Sequence, residues 1–190
     1  ALPPASPPAA ADHARSSASS APLASRLATM AENPVDVLEN LDDVLDYAHH
    51  ALRGARPTLE DRYVATVFRP SLTAAPTGIF AVFDGHGGEA TAQFLQDELE
   101  AALTGHEHFA GDLPKALRGA CAALEARVLE RQRGGGGDTS GSTLTMVVIR
   151  GRRLWSCNVG DSRCVMARAG DPVVMTEDHD PEAPAERERV

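Results

Sequence analysis

The amino-acid sequence predicts an α+β fold of antiparallel strands and packed helices, on three observations. Residues 79–83, Ile-Phe-Ala-Val-Phe, form a short apolar run that ends abruptly in Asp84-Gly85-His86-Gly87-Gly88. Residues 89–103 and 113–131 repeat apolar side chains at helical spacing, among them Phe94, Leu95, Leu99 and Leu103, then Leu117, Ala120, Leu124 and Val128. Four short runs, 142–149, 154–159, 164–168 and 173–175, are separated by turn-forming residues, the pattern of an antiparallel meander.

The 190 residues suffice for one domain with a sizeable core, and 43% apolar with 24% charged residues is ordinary for a globular chain. The net charge of −9 arises with a single lysine, Lys115, and no long basic run, so nucleic acid is not an expected partner. Cys121, Cys157 and Cys164 make neither a CxxC pair nor a zinc pattern, and an odd number argues against a disulfide framework. They read as small core residues of a reducing compartment, which makes the expected location intracellular. No run of about eighteen apolar residues is present, so no transmembrane segment is expected.

Residues 1–32 are expected to be a disordered leader, because Ala, Pro and Ser dominate and too little apolar surface is available to fold. Serine and arginine with one acid, Asp12, in the first 29 residues also match an organellar transit peptide, leaving cytoplasmic and organellar locations open. The folded unit is expected over 33–190. It opens with Asn33-Pro34 as a cap and an acidic amphipathic helix through Val37, Leu38, Leu41, Val44, Leu45 and Ala48. A loop punctuated by Gly54 and Pro57 carries Arg56, Glu60 and Asp61 to a strand at 63–68; taken alone, these charges read as a surface ion-pair cluster. The run 79–83 suits a strand buried on both faces, which delivers Asp84 where it leaves the core. The glycines after it allow close backbone approaches, so that Asp84, the Gly85 carbonyl and His86 can converge on one small volume; hard oxygen donors there suit Mg²⁺ or Mn²⁺. The same residues also read as a strand ending in an ordinary Asp-Gly turn, with His86 solvated. Gly134–Gly137 reads as a linker, since no Gly-Lys-Ser/Thr follows it. A second acid, Asp161 in Asn158-Val-Gly-Asp-Ser-Arg163, again stands at a strand end.

Four segments in order carry a resemblance: Arg56-Pro-Thr-Leu-Glu60-Asp61; Phe83-Asp-Gly-His-Gly-Gly88; Gly141-Ser-Thr143 with Asn158-Val-Gly-Asp161-Ser-Arg163; and Thr176-Glu-Asp178-His179-Asp-Pro181 with Glu186 and Arg189 downstream. From about Arg53 to the end, the chain resembles the metal-dependent protein serine/threonine phosphatases of the PP2C (PPM) family. The resemblance implies an antiparallel β-sandwich flanked by helices, with a site of two Mg²⁺ or Mn²⁺ ions at one edge that activates water toward phosphoserine and phosphothreonine of a protein substrate. Residue by residue, it implies Asp84 as the carboxylate bridging both metals and Gly85 as a backbone-carbonyl ligand. Glu60 and Asp61 become the acidic pair beneath the site, Arg56 the grip on the substrate phosphate, His86 the general acid, and Asp161 an acid for a weaker third metal.

The family completes its metal site with an Asp-Gly and an Asp-Asn from later segments, and the 190 residues hold neither. The expectation is therefore a domain incomplete at its C-terminus. Two readings follow: the N-terminal portion of a catalytic phosphatase, or a catalytically inactive scaffold whose open sheet edge is covered by an assembly partner.

Overall fold

A computed structural model describes residues 47–71, 75–134 and 137–189 of the chain. The expected leader lies outside these residues, as does nearly all of the acidic helix expected after Asn33; residues 47–50, at its end, have no regular secondary structure.

The fold is organised by strand β2 (Thr77–Phe83), in which Ile79, Ala81 and Phe83 are buried while the intervening Val82 is 52% exposed. That alternation places one face of the strand on the core. The run expected to be buried on both faces is thus buried on one, because no described element covers Val82. β1 (Arg62–Phe68) pairs with β2 on one side and β5 (Leu144–Arg150) on the other, and β6 (Arg153–Val159) pairs with β5. All pairs are antiparallel, in the order β1-β2-β5-β6. Cross-strand register aligns the inner face: Ala81 lies opposite Met146 and Met146 opposite Cys157, all buried.

Two helices cover this face. Helix α1 (Ala90–Thr104) buries Phe94, Leu95, Leu99 and Leu103, and α2 (Leu113–Arg133) buries Leu113, Ala116, Leu117, Ala120, Cys121 and Leu124. Helix α2 starts where it does because the Asp112 side chain accepts a hydrogen bond from the Lys115 amide at 3.0 Å and Pro114 occupies the first turn. Complete burial of a leucine such as Leu99 or Leu117 contributes about 1.5–3 kcal/mol, so the helix layer and the sheet depend on each other. Arg150 fastens the loop between the helices to the sheet, stacking 4.4 Å from the Phe109 ring centre and donating to the Phe109 carbonyl at 2.7 Å. The cysteines are free thiols, Cys121 and Cys157 meeting in the core with their sulfurs 3.9 Å apart.

The expected single strand over 142–149 is split. Residues Gly141–Ser142 form β4, which leaves the main sheet to pair with β3 (Gly85–His86), and β5 begins only after Thr143. The expected meander also stops after β6: β7 (Val165–Arg168) and β8 (Asp171–Val174) form a separate ribbon. Ala169 and Gly170, with φ of 51° and 94°, make its turn, the double positive-φ geometry that matches the twist of a two-residue hairpin. A short helix, α3 (Pro184–Arg189), follows. The described chain is therefore α+β, with antiparallel sheets and helices packed on the inner face.

Candidate functional site

The site forms at one end of the central sheet, where β2 ends at Asp84. Phe83 is fully buried and Gly85 is buried, so the backbone is anchored on both sides of a carboxylate that opens to solvent. Thr143 fixes that backbone twice: its amide donates to the Asp84 carbonyl at 3.0 Å, and its hydroxyl accepts from the Asp84 amide at 3.1 Å. These two bonds are why the chain breaks between β4 and β5.

Gly85 is a steric requirement. A Cβ there would stand 2.4 Å from the Glu60 carbonyl oxygen and 3.1 Å from the Ala92 methyl, so the glycine lets loop 53–61 and α1 close on the site. The Glu60 side chain accepts from the Gly88 amide at 3.2 Å and from the Thr58 hydroxyl at 2.9 Å, which joins the acidic loop to the glycine turn. Next to it, Arg62 donates to Glu89 at 2.6 Å and to Gln93 at 2.7 Å, holding the start of β1 against α1. Arg56 is exposed on the loop above, in a tight turn where its amide bonds to the Arg53 carbonyl at 3.1 Å and the Arg53 guanidinium donates to the Arg56 carbonyl.

Electrostatics gather the predicted residues around Asp84. Its carboxyl is held above the usual carboxylate range, first by partial burial and then by the charges of Asp61 and Asp161, while His86 and Arg56 act in the opposite direction. Asp61, Asp161, His86 and Arg56 all therefore lie close enough to Asp84 for their charges to be felt there. Asp161 is exposed in the turn after β6. That turn is held by side chains from β6 and from the segments that follow it. Asn158 donates to the carbonyls of Gly160 and Glu177, each at 3.0 Å, and the Gly160 amide donates to His179 Nδ1 at 3.3 Å. The His179 amide returns a bond to the Gly160 carbonyl at 2.9 Å, and Arg163 grips Asp178 through Nε and Nη2 at 3.1 and 2.8 Å.

A partly desolvated carboxylate crowded by two others fits a hard divalent cation in the kind of donor it offers. It does not complete a ligand set, because among the described residues no group of three or more His, Cys, Asp or Glu side chains stands close enough to hold a metal. The arrangement can gather positive charge at Asp84 and present a guanidinium and an imidazole beside it.

Sequence reasoning assigned no role to Thr143 or Ser162. The Thr143 hydroxyl lies 2.8 Å from the Ser162 hydroxyl, so one side chain links the Asp84 backbone to the Asp161 turn. The available signal was the Ser/Thr cluster at 139–143 beside a glycine run, which marks hydroxyls placed to bond backbone.

Comparisons with known proteins identify the family. The sequence matches the family described as Protein phosphatase 2C over residues 45–190. It is 33% identical over 149 residues to "Probable protein phosphatase 2C 55" of Oryza sativa subsp. japonica, covering 78% of this chain and 39% of that protein. It is 34% identical over 149 residues to "Probable protein phosphatase 2C member 13, mitochondrial" of the same organism, covering 78% and 40%. The chain thus spans less than half the length of these two relatives. Among solved structures, serine-threonine phosphatase 2C from Toxoplasma gondii superposes with a TM-score of 0.67 over 84% of this chain and 57% of that one, at 18% identity, which is a likeness of fold. With the matched region covering most of the chain and the four motifs at one sheet end, this chain belongs to the protein phosphatase 2C family.

Proposed function

We propose that the chain is the N-terminal portion of a protein serine/threonine phosphatase acting on phosphoserine and phosphothreonine in protein substrates. The observation that carries this reading is the gathering of Arg56, Asp61, His86 and Asp161 charges around the strand-end carboxylate of Asp84. In this reading Asp84 and the Gly85 carbonyl would hold metal directly, Glu60 would hold the water around it with Asp61 as its acidic partner beneath the site, Asp161 would serve a further cation, and carboxylates from outside these residues would complete the set. Two Mg²⁺ or Mn²⁺ ions would supply the charge that activates water and neutralises the phosphoryl oxygens.

The remaining work falls to the chain's own groups. Arg56 presents a planar fork to the substrate phosphate, and its exposed position allows it to swing onto an incoming phosphopeptide. His86, beside the carboxylate, gives its proton to the departing serine or threonine oxygen. Residues 33–190 form the domain in this reading, with 1–32 as a leader preceding it.

The test is phosphate release from a phosphothreonine peptide by the full protein carrying this chain. Mn²⁺-dependent turnover is expected, and Asp84→Ala should lower it by about a thousandfold or more, since the loss removes charge stabilisation of the transition state. Turnover unchanged in that variant would overturn the assignment. A second reading is an inactive binding module that presents the Asp84 cluster without turning over a phosphoester. An intact natural protein of about this chain's 20.0 kDa with no metal-dependent turnover would decide for it.

A further inference from the structure

We propose that Gly141 is a positioning residue that seats the imidazole of His86. The proposal rests on the reading of His86 as the proton donor and identifies what holds its ring in place.

His86 and Gly141 are directly opposite one another in the two-residue ribbon β3–β4. Opposed residues of an antiparallel pair project side by side, about 5 Å apart at Cβ, so a side chain at 141 would compete with the ring for one space. A Cβ on Gly141 would lie 2.3 Å from His86 Nε2, 2.8 Å from Cε1 and 3.2 Å from Cδ2. The imidazole already occupies the volume in which any side chain at 141 would stand. Backbone conformation does not explain the glycine, since Gly141 is not among the residues with positive φ. The bare surface it offers is what the position supplies.

Whether the ring or the backbone would yield to a methyl group at 141 is decided by what holds each. The strand is pinned immediately before Gly141. Ser140 is 2% exposed; its carbonyl accepts from the Thr91 hydroxyl at 3.0 Å and from Gln132 at 2.7 Å, its hydroxyl accepts from the Thr91 amide at 3.0 Å, and its amide donates to Asp138 at 2.9 Å. Two residues later the Thr143 amide is bonded to the Asp84 carbonyl. The ring, by contrast, is the exposed end of a side chain with two rotatable bonds. An added methyl therefore moves the imidazole and leaves the ribbon in place. At Gly85 the opposite holds, because a Cβ there meets the Glu60 backbone.

The chemical consequence is selective. As a water oxygen bonds to phosphorus, losing its proton to solvent, the bond to the serine oxygen breaks; that bond's electron pair goes to the serine oxygen and the imidazolium transfers its proton there, leaving inorganic phosphate, neutral imidazole and a serine hydroxyl. A displaced ring loses this transfer. p-Nitrophenolate needs no proton to depart, so its ester is spared.

The experiment compares wild type, Gly141→Ala and His86→Ala in the full protein carrying this chain, with Mn²⁺, on a phosphoserine peptide and on p-nitrophenyl phosphate. The ratio of the two rates should fall about a hundredfold in both variants, the size of a general-acid contribution. Equal losses on both substrates in Gly141→Ala, alongside a selective loss in His86→Ala, would overturn the seating role. Equal losses in His86→Ala would instead remove the proton-donor reading. A second measurement is independent of turnover: histidine-labelled wild-type protein should show a nuclear Overhauser contact between the His86 ring proton Hε1 and the Gly141 Hα protons. In Gly141→Ala the ring resonance should move while the Gly85 and Ser142 amides stay in place. Absence of the contact, or loss of the β3–β4 pairing in the variant, would overturn the proposal.

Discussion

Asp84 and Asp161 both follow apolar strands and both face solvent, yet they are held by different kinds of structure. Asp84 ends a strand paired on both sides, and its own amide and carbonyl are bonded to Thr143. Asp161 follows β6, which ends the order of the main sheet, and its turn depends on side chains: Asn158, His179 and the Arg163–Asp178 pair. The first acid is placed by sheet register and close packing, which fail only cooperatively. The second is placed by separable polar contacts, each of which can be removed with modest loss. Thr143, bonded to the Asp84 backbone and to the Ser162 hydroxyl, joins the stiff half of the site to the adjustable half.

The contrast is broken most severely at Gly85. Because a Cβ would meet the Glu60 backbone rather than a mobile side chain, Gly85→Ala should lower unfolding stability by about 3 kcal/mol or more, read from urea denaturation. A loss below about 1 kcal/mol would show that loop 53–61 yields freely and that the Asp84 side is not stiff.

The link between the halves gives a smaller effect. Thr143→Val keeps the shape but strands the Asp84 amide and the Ser162 hydroxyl, at a cost of about 1–3 kcal/mol in the same measurement. Thr143→Ser should recover most of that loss, and failure to do so would assign the role to the methyl group, which packs against Gly160.

The smallest effect is expected on the Asp161 side. Asp178 is held below the usual carboxylate range, chiefly by its hydrogen bond from Arg163; burial opposes this, and the Arg163 and His179 charges add to the lowering. A depressed carboxylate contributes stability above its unfolded pKa and loses it as pH falls through the folded one. Stability should therefore decline slightly in that acid window and less so in high salt; Asp178→Asn should remove only this pair's share, since Glu98 and Asp138 are also held below the usual range. A decline as large as the loss in Thr143→Val would show that this clamp is not the weak side.

What was legible in the sequence follows from how local each feature is. The helices at 89–103 and 113–131 and the strand ending at Asp84 were readable because burial repeats along one element, and the structure places α1, α2 and β2 within a few residues of those bounds. The β3–β4 ribbon was not readable, because it joins Gly85–His86 to residues more than fifty positions away and lasts two residues, too short for any period to register. The meander failed at β7 for a related reason. Alternation locates strands but not partners, and the Asn158–Glu177 and Gly160–His179 bonds tie the segment after the ribbon back to the end of β6. Periodicity alone left Asp84 open to an ordinary turn; the motif order supplied the case for a site, and geometry adds the charges that converge there.

The alternation in β2 has one more consequence. A slip of one residue against β1 and β5 would turn Ile79, Ala81 and Phe83 outward and carry Val82 and Phe80 into the core, reversing every pair in the register. The same slip would displace Asp84 by about 3.4 Å along the strand and aim it at the opposite face. Water's exclusion from three apolar side chains thus acts as an index mark for a charged one. The position of the carboxylate is set by oily residues that lie beneath it in the core, so a variant altering their spacing would misplace Asp84 along with the register.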